Sequence, residues 1–240
     1  MICRIADFNI EFKSPSKYVE IFLSPFKTNA LPEISFEVSA EEIAVKRKLI
    51  PEIRYDQICE LSIMHSKLSA WVAQYDTIFL HAALIDVKGT GVAFTALSGT
   101  GKTTHMLLWK KLLSDKLTIV NGDKPFIRFF DGEKYPYGYG TPWNGKEHFG
   151  TTGKVQLKHL CFIERGEKNT CERLKPSDVL EEILKQAYIP RNTPQSAYNS
   201  ITIIDRILNT CVLWKITCNT DIEAAEVAYN TIFKEQNNEA

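Results

Sequence analysis

Ala96-Leu97-Ser98-Gly99-Thr100-Gly101-Lys102-Thr103-Thr104 is the stretch on which the reading of this 240-residue chain turns. Upstream, Ile78 to Lys88 and Gly91 to Ala96 have the composition of two strands, and downstream Thr103 to Leu113 has helical spacing. A glycine-rich segment between a strand and a helix start is the setting that a phosphate-binding loop needs. Gly99 and Gly101 carry no Cβ, so the backbone can turn with its N–H groups pointing inward. The helix start adds unpaired N–H groups and the positive end of its dipole. On this reading Ser98, Gly99, Thr100, Gly101, Lys102, Thr103 and Thr104 form the nucleotide-binding segment. Lys102 reaches the β- and γ-phosphates, and the Thr103 hydroxyl ligates the magnesium that accompanies them. Ala96 stands where the strictest form of the motif has its first glycine, a place that a small residue can fill. The plain alternative is a Gly-rich turn capping an ordinary helix.

The composition bounds what surrounds this loop. With 44% hydrophobic and 24% charged residues, the chain has the make-up of an ordinary globular protein, with a length that suits one large domain or one domain with a small appendage. Lys plus Arg and Asp plus Glu number 29 each, so no overall field favours nucleic acid or a membrane surface. No apolar run approaches the ~20 residues of a membrane span. The N-terminus has an early acid and no long apolar core, which does not fit a secretory signal. The six cysteines are scattered, without a Cys-x-x-Cys pair, and are expected to be reduced core thiols of a cytoplasmic protein.

Residues 1–75 read as a small α+β lobe, and 76–240 as the nucleotide-binding domain. Ile5 to Phe12, Tyr18 to Leu23 and Ile34 to Val38 alternate well enough for strands. Ser39-Ala40-Glu41-Glu42 has capping-box spacing. Leu61 to Tyr75 places Leu61, Met64, Leu68, Trp71 and Val72 on one helical face, with His65 on the same helix and no chemistry assigned to it. From Thr77 the chain changes character. Ile78 to Val87 reads as one buried strand whose only strongly polar members are His81 and Asp86. Leu117 to Val120 is a short strand ending in Asn121-Gly122-Asp123. An acid at the carboxyl end of a strand beside a phosphate loop is where a magnesium-binding aspartate belongs, although Asn-Gly-Asp is also good turn chemistry.

Phe126 to Phe130 is expected to pair with the segment beyond the turn at Asp131-Gly132. Tyr135 to Lys154 is a long aromatic loop, read as a lid or substrate wall with Trp143, Lys146 and Glu147 in it and the last two aimed at the site. Packing over a sheet edge is the plainer role for it. Leu157 to Ile163 and Val212 to Thr217 read as strands. Helices are expected from a cap at Ser177 to about Tyr188, from Pro194 to about Asn209, and from Asp221 to Lys234.

His81, the turn Gly89 to Gly91, the run Phe94 to Thr103 and the acid strand ending at Asp123 together resemble HPr kinase/phosphorylase and the serine kinases related to it and to PEP carboxykinase. Gly140 to Glu147 resembles a loop of smaller HPr-kinase-like proteins. The resemblance covers mainly residues 78–150 and does not extend to residues 1–75. It implies an α/β fold with an HPr kinase/PEP carboxykinase-like P-loop core and a small N-terminal α+β lobe. It also implies ATP and Mg2+ as cofactors, with His81, Lys102 and Asp123 as catalytic residues and Thr103 and Asp123 on the metal. The family pattern has two adjacent aspartates where this chain has Gly122 and Asp123, so the position of the acceptor's base is empty.

Two readings follow. In the first, the chain is an ATP- and Mg-dependent kinase whose partners are a nucleotide and a hydroxyl of a peptide, small protein or small molecule, with a homo-oligomer also in view. In the second, it is a non-catalytic nucleotide-binding module with a degenerate base position. A GTPase-like switch fits less well, since no Asn-Lys-x-Asp guanine reader is present.

Overall fold

Residues 1–191 and 193–236 are described in a computed structural model. Ala6 and Asp7 both adopt positive φ, 52° and 62°, the backbone of a tight two-residue hairpin turn. Ile5 to Phe12, expected as one strand, is therefore divided between β1 (Ile2–Ile5) and β2 (Phe8–Phe12), paired antiparallel. The strand expected over Tyr18 to Leu23 is a helix, α1 (Lys17–Leu23). Ser16 caps it by accepting a hydrogen bond from the Val19 N–H at 3.4 Å, and Val19 and Leu23, one turn apart, fill the buried side. β3 (Ile34–Phe36) pairs parallel with β2. At the start of α2 (Ala40–Leu49), Ser39 Oγ accepts from the Glu42 N–H at 3.2 Å and the Glu42 carboxylate accepts from the Ser39 N–H at 2.9 Å, the reciprocal box that the spacing anticipates. α3 (Asp56–Val72) buries Leu61, Met64, Leu68 and Val72.

The remaining strands are β4 (Thr77–Phe79), β5 (Ala82–Val87), β6 (Thr90–Thr95), β7 (Leu117–Asn121), β8 (Phe126–Arg128), β9 (Tyr137–Tyr139), β10 (Lys154–Arg165), β11 (Thr170–Arg173) and β12 (Val212–Cys218). They form one mixed sheet in the order β4-β8-β9-β10-β6-β5-β7, with β12 beside β10 and β11 outside β12. The layout is mixed α/β. β10 is its axis: its first residues pair antiparallel with β9, and the rest run parallel to β6 and β12. β8 and β9 pair antiparallel, as expected for the segments flanking Asp131-Gly132.

Side chains alternate across this sheet with period two, so each strand serves two cores. Ala83, Ile85, Phe94 and Trp214 meet α4 (Lys102–Leu113) and α7 (Ile222–Gln236) on one face. Ala82, Leu84, Leu160 and Leu213 meet α5 (Pro176–Gln186) and α6 (Pro194–Thr210) on the other. A third core joins β1, β2, α1 and α3 to Phe79, Phe126 and Tyr139, so apolar packing crosses the junction near residue 75.

α5 begins one residue before Ser177. Lys175 is the N-cap residue, Pro176 takes the first helical position, and the Asp178 carboxylate accepts from the Lys175 N–H at 2.9 Å. Cys3, Cys59, Cys161, Cys211 and Cys218 are in no disulfide. Among the described residues no helix is long and apolar enough to cross a membrane.

Candidate functional site

β6 delivers the chain into the loop Ala96 to Gly101, and α4 leaves it. Gly99 and Gly101 sit at φ 80° and 124°, a region that side-chain-bearing residues rarely enter. Open space surrounds both, so backbone conformation rather than crowding requires glycine there. Gly101 is the N-cap of α4 and offers no side-chain cap, which leaves the first N–H groups of the helix open to a ligand. The carbonyl side of the loop is held from outside: Arg165, the last residue of β10, donates from Nε to Thr100 O at 3.1 Å and from Nη2 to Gly99 O at 2.5 Å. Lys102 is buried and donates to Ala96 O at 2.9 Å. Burial lowers the pKa of its ammonium, the charge on Asp123 raises it part of the way back, and Lys124 lowers it again. Ser98 and Gly99 are exposed, Thr103 is half-buried and Thr104 faces out.

The strand expected from Ile78 to Val87 is broken at Leu80 and His81, and the break is what frees His81. The end of α5 and the residues after it run alongside the break: the His81 N–H donates to Gln186 O at 2.8 Å, and the Tyr188 N–H donates to Phe79 O at 3.0 Å. The Ala82 N–H donates to Asp123 O at 2.9 Å, which fixes the end of β7 beside the break. His81 Nε2 then lies 3.2 Å from Asp123 Oδ1, and His81 Nδ1 lies 2.8 Å from Gln186 Oε1. Lys124 pairs with the second carboxylate oxygen of Asp123. Burial would raise the Asp123 carboxyl, but hydrogen bonds from His81 and Lys124, and their charge, bring it down to about 2. The turn is built by Asn121, whose Oδ1 accepts from the N–H groups of Asp123 at 2.9 Å and Lys124 at 2.7 Å.

The 141–150 segment lies across this turn. Gly122 donates to Phe149 O at 2.8 Å, and Lys124 donates from its backbone to Trp143 O at 3.0 Å. A Cβ on Gly122 would lie 2.8 Å from Asn144 O and 3.2 Å from Phe149 O, so loop backbone fills the space that a side chain at this position would need. Trp143 is half-buried, with ring centroids 5.4 Å from His65, 5.5 Å from Phe79 and 5.7 Å from Phe22. Lys146 and Glu147 are exposed. A Cβ on Gly145 would lie 3.3 Å from Asp123 Cβ and 3.7 Å from Glu147 Oε2, which puts the Glu147 carboxylate beside the same glycine as Asp123.

The fold therefore brings His81 and Asp123 into contact, with Lys102 within reach of the Asp123 charge, and stations Trp143 in an aromatic cluster. It adds Gln186, Lys124 and Arg165, which the sequence reading did not single out. Gln186 did leave a trace: Val179, Ile183 and Gln186 are the buried residues of α5, so it is the polar member of an apolar stripe.

Two cavities flank the loop. The larger, 830 Å³, lies between Ala96–Thr100 and α5 and includes Gln186. The smaller, 470 Å³, lies beside Thr104 and His105 and is closed by Gly166 and Cys218–Thr220. Arg165 lines both. A magnesium ion that travels with phosphates needs only one or two protein oxygens, and the donors here, the Thr103 hydroxyl and the Asp123 carboxylate, are of that hard-oxygen kind. Among the described residues no group of three or more His, Cys, Asp or Glu could hold an ion alone.

No protein-family model matches the chain, and no curated protein matches it. One solved structure similar to it is the HPr(Ser) kinase/phosphatase from Coxiella burnetii, with a TM-score of 0.40 and 10% identity, over 67% of this chain and 94% of that one. Similarity of that extent assigns no residue a role, and the chemistry of this site rests on its own geometry.

Proposed function

We propose that this chain is a phosphotransferase that passes the γ-phosphate of magnesium-bound ATP to the hydroxyl of a peptide, small protein or small molecule. The observation that carries the reading is that a glycine loop with an uncapped helix start shares one end of the sheet with a carboxylate held ionised by His81 and Lys124. A binding loop alone needs no such carboxylate.

The loop N–H groups and Lys102 offset phosphate charge, which is most of what phosphoryl transfer asks of a protein. Magnesium, when bound, would neutralise the oxygens that become more negative as the phosphate leaves, and Thr103 and Asp123 are the residues to hold it. A carboxylate with a pKa of about 2 accepts a proton poorly near neutral pH, so Asp123 acts through its charge more than as a base. His81 and Lys124 keep that charge oriented. The smaller cavity, at the exposed side of Thr104, takes the nucleoside, and the larger one, which contains Gln186, takes the acceptor.

The test is transfer from γ-labelled ATP, with Lys102→Ala and Asp123→Ala as controls, alongside calorimetric binding of nucleotide. Transfer or hydrolysis that both substitutions reduce by about 10²-fold or more supports the reading. Magnesium-dependent binding without any turnover supports the second reading, a non-catalytic nucleotide-binding module. One observation favours that alternative: Gly122, at the base position, is packed against Asn144 O and Phe149 O and leaves no room for a carboxylate.

A further inference from the structure

The geometry points to a cation-selecting acceptor groove in the 830 Å³ cavity: the hydroxyl compound that this protein phosphorylates carries an amine or guanidinium group, bound by Asp178 and Glu182 of α5. The inference rests on the phosphotransferase reading above and names the class of acceptor, which that reading leaves open.

Gln186 is 6% exposed, lines the cavity and commits its Oε1 to His81. Its amide nitrogen has no hydrogen-bond partner among the described residues. The nitrogen keeps access to the cavity, so an oxygen of a bound molecule can take the place of water on it. The oxygen in question is the acceptor hydroxyl, because the other side of the same amide fixes the imidazole that contacts Asp123.

The charges on the cavity wall sort by partner. Lys215 is paired with Glu164 at 2.9 Å, and Lys185 with Glu181 at 2.6 Å. Arg165 is spent on the loop carbonyls of Gly99 and Thr100. Glu182 has no partner among the described residues, and Asp178 accepts hydrogen bonds from the Lys175 N–H and Ser177 Oγ without meeting a cation. The phosphate end of the cavity is thus cationic and the α5 wall anionic.

Helical spacing turns this wall into a ruler. Asp178, Glu182 and Gln186 are four residues apart, so they share a face and rise by about 6 Å at each step. A hydroxyl at Gln186 therefore has its cationic group about 6–12 Å away along α5. A serine or threonine with Lys or Arg a few residues off spans that distance, and so does a long-chain amino alcohol.

The transfer balances without a further reactant: the acceptor oxygen forms a bond to the γ-phosphorus, the bond from that phosphorus to the β–γ bridging oxygen breaks, and ADP leaves. The hydroxyl proton goes to the transferred phosphate or to water.

The experiment uses the full chain with magnesium and a non-hydrolysable ATP analogue. Fluorescence anisotropy compares two labelled nonapeptides, each with one central serine, flanked by arginines in one and by glutamates in the other. The arginine peptide is expected to bind at least tenfold more tightly, and Glu182→Lys to reduce that ratio at least fivefold. Gln186→Ala is expected to weaken the arginine peptide, and thermal melting of both variants checks that they fold. Displacement of the peptide by 6-aminohexanol assigns the groove to a small amino alcohol, and failure to displace it assigns the groove to a basic peptide. Equal affinity for both peptides, or a ratio that Glu182→Lys leaves unmoved, overturns the groove. Calorimetry with ATP separates the two claims: nucleotide binding without peptide preference sinks the groove alone, and peptide preference without nucleotide binding sinks the phosphotransferase reading alone.

Discussion

His81 Nε2 stands 3.2 Å from Asp123 Oδ1, and the residue after His81 donates its backbone N–H to the carbonyl of Asp123 at 2.9 Å. Side chain and main chain thus tie the same two points of the sheet, one at the break between β4 and β5 and one at the end of β7. The double tie makes the pair a fixed element. With His81 removed, Asp123 keeps Lys124 but loses the contact that aims it.

His81→Ala is therefore expected to lower kcat for transfer by about 10²-fold. The Kd for nucleotide should move less than twofold, because the loop N–H groups and Lys102 do not depend on the imidazole. Steady-state kinetics and calorimetry on the same preparation check the split.

Arg165 holds the loop through two carbonyls with one planar fork. Arg165→Ala should weaken nucleotide binding about tenfold, equivalent to about 1.4 kcal/mol. Arg165→Lys should restore little of it, since an ammonium cannot reach both carbonyls with the guanidinium's geometry. Calorimetry on the two variants decides.

Gly122→Ala tests the packing of the 141–150 segment. The new Cβ would lie 2.8 Å from the Asn144 carbonyl, so the backbone must yield. The cost should be about 1–3 kcal/mol, the usual range for overpacking. A lower urea midpoint with faster proteolysis within 141–150 is the expected result.

Three buried histidines make the protein acid-sensitive. Burial, with the nearby charge of Lys124 second, lowers His65 to about 3, and burial lowers His105 and His159 to about 4. Each folded pKa lies below the unfolded value near 6.5, so below pH 6.5 the unfolded chain binds more protons than the native one. Stability is full above that pH and falls as pH drops toward 4 and 3. His65 alone should cost about 2 kcal/mol between pH 7 and pH 5. Urea midpoints at the two pH values measure it, and His65→Phe, which fills the aromatic cluster with a ring that cannot titrate, should flatten the slope.

The secondary structure around the loop was legible where periodicity is strong. Thr103 to Leu113 and Pro194 to Asn209 lie on helices, and Leu157 to Ile163 and Val212 to Thr217 lie within strands. The capping box at Ser39 was legible too, because its partners are three residues apart. The failures are local and have local causes. Tyr18 to Leu23 alternates like a strand, but the cap from Ser16 and the i, i+4 pair Val19 and Leu23 favour a helix. Ile5 to Phe12 hides a turn because Ala6 and Asp7 enter the positive-φ region without a glycine to announce it. Ser177 reads as the cap of α5 on composition alone, but Pro176 at the first position and Asp178 at the third carry the stronger signal and start the helix one residue earlier.

What the sequence by itself determined is the glycine loop between β6 and α4, since Gly99 and Gly101 set its backbone within one turn of chain. It also named His81 and Asp123, one by its oddness in an apolar strand and one by its place at a strand end. Only the tertiary structure decided that these two touch, that Gln186 closes on the imidazole from α5, and that Arg165 grips the loop from β10. Those contacts join residues far apart in the chain, and the order of strands in the sheet, which no local pattern encodes, is what sets them side by side.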